Sequence, residues 1–128
     1  MAKPVLLVTR TLPAAIEARA ARDYDARLNA DDAHWAADGG EIARRAAACC
    51  AAGILGAAGD GLDAACIAAL PESVRIIATF SVGTDHIDLG AAKARGIVVT
   101  NTPQVLSFAT AECAFTLLLM AARRAGGA

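Results

Sequence analysis

Neither sign of charge dominates this chain. Its 12 Lys and Arg stand against 13 Asp and Glu, a net charge of −1 over 128 residues. Without a basic face there is no electrostatic footprint for nucleic acid, whose phosphates a binding protein must neutralise. No apolar run reaches the ~18 residues that a membrane-spanning helix needs. The most lipid-like segment, 113–122, is too short and lies between Glu112 and Arg123. The opening Met1-Ala2-Lys3-Pro4 leads to an apolar stretch broken early by Thr9 and Arg10, unlike a secretory signal, so a cytoplasmic location is expected. Cys49, Cys50, Cys66 and Cys113 contain no C-x-x-C pair, and neither histidine stands at a ligand spacing from them. They are expected to be reduced thiols, with no metal site. The first strand ends in Val8-Thr9-Arg10 and lacks the acidic cluster with which a receiver domain holds Mg²⁺. Repeats and low-complexity linkers are also missing.

What is present is an apolar chain, 56% hydrophobic and 20% charged, which excludes disorder and allows one sizeable core. Short apolar runs alternate with helical patterns. Strands are expected at 5–9, 24–28 (edge-like), 53–57, 75–80 and 97–100, with helices at 13–21, 41–50, 63–70 and 89–95 between them. Glu17 and Arg19 are expected to face water, as are Arg44 and Arg45. Residues 29–40 read as loop, with Trp35 packing down onto the sheet. Asp63 and Asp88 suit helix N-caps, and Gly96 suits the position after a helix end. This alternation argues for an α/β fold, a flavodoxin-like parallel sheet with helices on both faces. A longer helix, about 105–124, closes the chain. Its apolar surface is too broad to be covered from one side.

The organising stretch is 75–88. An apolar strand runs into Ser81-Val82-Gly83, and Asp88 then starts a helix. In an open parallel sheet, ligands gather at the carboxyl ends of the strands. Gly83 has no Cβ, so successive N–H groups could turn toward one anion, as in a nest, and hold a carboxylate without a charged side chain. An ordinary strand-to-helix turn satisfies the same residues. Gly59-Asp60-Gly61 should sit at the same edge; 56–61 is glycine-bearing but lacks G-x-G-x-x-G spacing.

Three motifs follow in order: S-V-G-T-D-H at 81–86, A-R-G-I-V-V-T-N-T-P at 94–103, and T-A-E at 110–112 leading to L-L-L-M-A-A-R-R. Together they resemble the D-isomer-specific 2-hydroxyacid dehydrogenases, especially the glyoxylate and hydroxypyruvate reductase branch. The likeness is faint before Gly53 and firm after Arg75. It implies a substrate-binding domain over 1–100, then a hinge at Asn101-Thr102-Pro103 and the first helix of a dinucleotide-binding domain over 101–128. It also implies hydride transfer between NAD or NADP and a small 2-oxo or 2-hydroxy acid, in a full-length homodimer. Ser81, Val82 and Gly83 would hold the substrate carboxylate, Ala57 and Ala58 would border its pocket, and Thr110 would lie near the nicotinamide. The family's paired His and Glu, its substrate Arg and its G-x-G-x-x-G come later than residue 128, so no catalytic residue is expected here and the isolated chain should be inactive. His86 would be a structural or capping residue, Asp85 would bond local N–H groups, and Glu112 would be an orienting or surface group. The competing possibility is a free-standing flavodoxin-like binding or regulatory module.

Overall fold

The apolar runs become the central strands of a parallel sheet, in a computed structural model that describes residues 2–127. The elements are β1 (Val5–Val8), α1 (Ala14–Asp23), β2 (Asp25–Arg27), α2 (Gly39–Ala48), β3 (Gly53–Ala57), α3 (Ala64–Ala69), β4 (Ile76–Phe80), α4 (Leu89–Ala94), β5 (Val98–Thr100) and α5 (Ser107–Ala122). All strand pairs are parallel, in the order β2-β1-β3-β4-β5. That is the flavodoxin-like order expected from the alternation.

Right-handed crossovers on this order set α1 on one face and α2, α3 and α4 on the other. The three-helix face holds the core. Leu7, Ile54 and Ile77 align across neighbouring strands and are buried. They pack with Ile42 and Ala46 of α2, Cys66 and Ile67 of α3, and Ala92 of α4. Each large side chain so buried stabilises the fold by ~1.5–3 kcal/mol. The other face is only partly covered: Leu6, Leu55 and Ala78 are half-buried, and Ile76, Phe80 and Val98 are exposed.

The caps follow the sequence. Asp63 accepts from the Cys66 N–H and Asp88 from the Ala91 N–H, each at 2.8 Å, while Gly96 takes a positive φ of 69° after α4. Helix α2 begins two residues earlier than expected, because Asp38 caps it through the Gly40 N–H at 2.8 Å. The segment 29–40 is more ordered than loop. It contains a 3₁₀ turn, His34–Ala37, and the buried Asn29 amide donates to the carbonyls of Thr9 and Ala33 at 2.8 and 2.9 Å. Trp35 is half-buried and packs against the core, as expected. One surface expectation is corrected and another is refined. The Arg45 side chain is 42% exposed, as expected of the wet side, and its guanidinium also lies 4.3 Å from the Trp35 ring centre, a cation–π contact. Glu17 is half-buried and accepts the Leu12 N–H at 2.9 Å, satisfying a donor ahead of α1.

Helix α5 differs from the others because none of its residues is buried. It starts at Ser107, two residues later than expected, after a left-handed Gln104 (φ 65°). Phe108 is 82% exposed and Leu118 64%. Among the described residues no helix is long and apolar enough to cross a membrane.

Three outcomes follow from this packing. A Cβ at Gly39 would stand 2.3 Å from the Gly61 carbonyl oxygen and 2.7 Å from Cys66 Cβ, so Gly39→Ala should lower stability by about 1–3 kcal/mol in urea denaturation. Burial, reinforced by Asp63, Asp38 and Asp60, pushes the Cys66 thiol up to about 11, so a thiol reagent near neutral pH should label exposed Cys50 and Cys113 but reach Cys66 only on unfolding. The Arg10 guanidinium and then the Thr11 N–H hold Asp32 down at about 2, and Arg44 then Arg45 hold Glu41 at about 2, against ordinary values of 3.8 and 4.5. A depressed carboxyl stabilises the fold above its unfolded value, and this is lost as pH falls through its folded value. The urea midpoint should therefore drop between pH 4.5 and about 2, and Asp32→Asn, which tolerates the left-handed backbone there (φ 46°), should flatten that slope.

Candidate functional site

The carboxyl ends of the strands carry a layer of mutually bonded loops. Leu62 and Ile87 form a parallel bridge, and the Asp88 N–H donates to the Leu62 carbonyl at 2.9 Å. Through these bonds the loop after β3 holds the loop after β4. The Gly61 N–H donates to the Ala36 carbonyl at 2.7 Å, tying in the 3₁₀ turn as well. The two glycine-bearing loops thus lie at one edge, as the sequence suggested.

Within this layer, the carbonyls of 81–83 are all satisfied. Ser81 O accepts the Thr102 N–H at 2.9 Å, Val82 O accepts the Asn101 side-chain amide at 2.7 Å, and Gly83 O accepts the Ser81 hydroxyl at 2.7 Å. Among the described residues, the N–H groups of Val82 and Gly83 have no protein acceptor. Val82 and Gly83 are exposed and Ser81 is half-buried, so the loop lies at the surface of the sheet edge. Two adjacent free donors whose carbonyls are tied elsewhere can bind an anion. Gly83 does this without a left-handed φ, so its value lies in the missing side chain rather than in special torsions.

Ala57 is brought to the same edge. It pairs in register with Phe80, the residue before Ser81, and its N–H donates to Asp60 Oδ2 at 2.9 Å. Ala58 beside it is exposed. Asp60 is buried and also accepts the Thr9 hydroxyl at 2.6 Å. The Asp60–Thr9 pair holds the end of β3 against the end of β1, a role that the sequence did not reveal. A carboxylate between two glycines just after a strand was the one signal that pointed to it.

Three other residues behave differently from expectation or more specifically. Asp85 accepts no local N–H among the described residues; Asp88 caps the helix, and a Cβ on Gly83 would meet Asp85 Oδ2 at 3.1 Å. His86 bonds the buried Thr79 hydroxyl through Nε2 at 3.0 Å, a structural contact. Glu112 is an exposed residue of α5 whose carbonyl accepts the Thr116 hydroxyl.

Thr110 is not joined to this cluster by any hydrogen bond among the described residues. It lies exposed near the start of α5, and its N–H donates to Leu106 O at 2.9 Å. One exposed threonine is no cradle for a dinucleotide, and the glycine-bearing loop 56–61 spends its Asp60 on internal bonds. The described residues therefore do not by themselves fit a nicotinamide dinucleotide.

Residues 6–123 match the family described as D-isomer specific 2-hydroxyacid dehydrogenase, catalytic domain. The chain is 42% identical over 126 residues to the glycerate dehydrogenase of Hyphomicrobium methylovorum, covering 98% of this chain and 38% of that one. It is 37% identical to the human glyoxylate reductase/hydroxypyruvate reductase, covering 93% and 36%. Among solved structures, a glyoxylate reductase from Paecilomyes thermophila superposes with a TM-score of 0.79 at 25% identity, covering 98% and 40%. An NADPH-dependent glyoxylate/hydroxypyruvate reductase from Sinorhizobium meliloti, in complex with NADP and malonate, gives 0.70 at 30% identity, covering 93% and 34%. The chain spans well under half the length of these relatives. With its fold and nearly its whole length in agreement, the chain belongs to the D-isomer-specific 2-hydroxyacid dehydrogenases.

Proposed function

We propose that this chain is the substrate-holding part of an oxidoreductase that moves a hydride between NAD or NADP and a small 2-oxo or 2-hydroxy acid of the glyoxylate or hydroxypyruvate type. The observation that carries this reading is the pair of unpaired N–H groups at Val82 and Gly83, with every carbonyl of 81–83 bound elsewhere. These donors, with Ser81 beside them, hold the substrate carboxylate, and Ala57 borders the pocket. The malonate in complex with the Sinorhizobium reductase is a small carboxylate of the same kind. Substrates named for the relatives, glycerate and glyoxylate, are small acids too.

The nicotinamide supplies or takes the hydride when bound. Residues 1–100 form the substrate domain, 101–128 the hinge and first helix of the cofactor domain, and Thr110 lies near the nicotinamide. Asn101 and Thr102 bond the loop directly, so motion at the hinge reaches the carboxylate site. The broad apolar surface of α5 supports cover from more than one side, by the cofactor domain and by a second subunit in a homodimer. A cytoplasmic enzyme is part of the same reading. Asp85 beside Gly83 opposes an anion, so tight binding needs a cation brought by domain closure, the Arg that the family resemblance implies.

In the full-length enzyme, Gly83→Val should raise KM for glyoxylate at least about tenfold, some 1.4 kcal/mol of binding, because the added side chain crowds both the anion and Asp85. Steady-state kinetics decide the matter, and unchanged constants would remove the loop from the site.

A further inference from the structure

The geometry points to His86 as a positioning residue, which sets the carboxylate-holding loop through a directed chain of hydrogen bonds. The chain runs from His86 Nε2 to Thr79 Oγ1 at 3.0 Å, from Thr79 Oγ1 to Ser81 Oγ at 2.7 Å, and from Ser81 Oγ to the Gly83 carbonyl at 2.7 Å.

Its direction follows from counting protons. A carbonyl oxygen only accepts, so Ser81 spends its one hydroxyl proton on Gly83. At the next contact Ser81 must accept, and Thr79 must therefore donate its only proton. Thr79 then accepts at the remaining contact, so the His86 Nε2 carries hydrogen. Reversal is blocked at the carbonyl end. Thr79 is buried, so its hydroxyl is shielded from water on one side, while the two bonds it makes are part-buried. The product of the chain is a Gly83 carbonyl held toward Ser81, while the neighbouring N–H groups stay free for an acid. His86 acts on the loop without touching the bound anion. The part of this inference that concerns substrate rests on the function proposed above; the proton order does not.

The test uses the 128-residue chain labelled with ¹⁵N for the ring and loop signals, and the full-length enzyme with glyoxylate as the probe for binding. At alkaline pH, long-range ¹H–¹⁵N correlation should show the His86 ring protonated at Nε2 and bare at Nδ1. His86→Leu and Thr79→Val break the chain at different links, and each should displace the Val82 and Gly83 amide signals and raise their nanosecond mobility. His86→Gln keeps an amide donor and should restore both. In the full-length enzyme, where the closing Arg is present, His86→Leu should raise KM for glyoxylate about tenfold and His86→Gln should leave it within about twofold of the parent. An Nδ1–H ring, loop amides unmoved in both breaking variants, or a Gln variant as impaired as the Leu variant would overturn the inference. A full-length enzyme that does not turn over glyoxylate would instead defeat the substrate reading, with the ring protonation and the Gln rescue of the loop amides still deciding the role of His86.

Discussion

A backbone carbonyl that already has a donor cannot turn toward a cleft, and the candidate site depends on this constraint. At Ser81, Val82 and Gly83 the donors are a peptide N–H, a side-chain amide and a hydroxyl. Two of the three come from the segment after β5 and the third from the loop itself. The free N–H groups that remain are a consequence of where those donors sit. Leaving a peptide N–H unpaired inside a protein costs about as much as a lost hydrogen bond, so such groups belong where water or a ligand can reach them. Exposed Val82 and Gly83 meet that condition.

The same edge shows why the strands must be parallel and in this order. Parallel strands bring all their carboxyl ends to one side, so Thr9, Ala57, Ser81 and Asn101 meet although they are far apart in the chain. Asp60 then ties β1 to β3, and the Leu62–Ile87 bridge ties the β3 loop to the β4 loop. The core beneath, with Ile42, Ile54, Leu62, Ile67 and Ile77 fully buried, keeps these ends in register. Rigidity below the loop is what lets small groups act above it.

Two apolar surfaces remain uncovered among the described residues. One is the α1 side of the sheet, where Ile76, Phe80 and Val98 are exposed, although parallel sheets are ordinarily covered on both faces. The other is α5, where Phe108, Phe115 and Leu118 point outward. That helix draws on the helix propensity of its Ala, Leu and Met residues, since burial contributes little to it here. Patches of this kind mark surfaces that meet protein, membrane or ligand.

Strand positions, sheet order, the caps at Asp63 and Asp88 and the family were legible in the residues, because each depends on local pattern: apolar runs, side-chain oxygens ahead of helices, and motifs in a set order. The long closing helix was legible too, apart from two residues at each end. The roles of Arg45, Glu17, Asp60 and Asp85 were not, since each turns on a partner that folding brings near, whether Trp35, the Leu12 N–H, Thr9 or Gly83. By itself the sequence determined that a parallel α/β domain would present a glycine-bearing loop at a strand's end. Only the tertiary structure decided which atoms of that loop are free, because the donors that occupy its carbonyls come from Asn101 and Thr102, about twenty residues further on, and from the Ser81 hydroxyl, which is linked through Thr79 to His86.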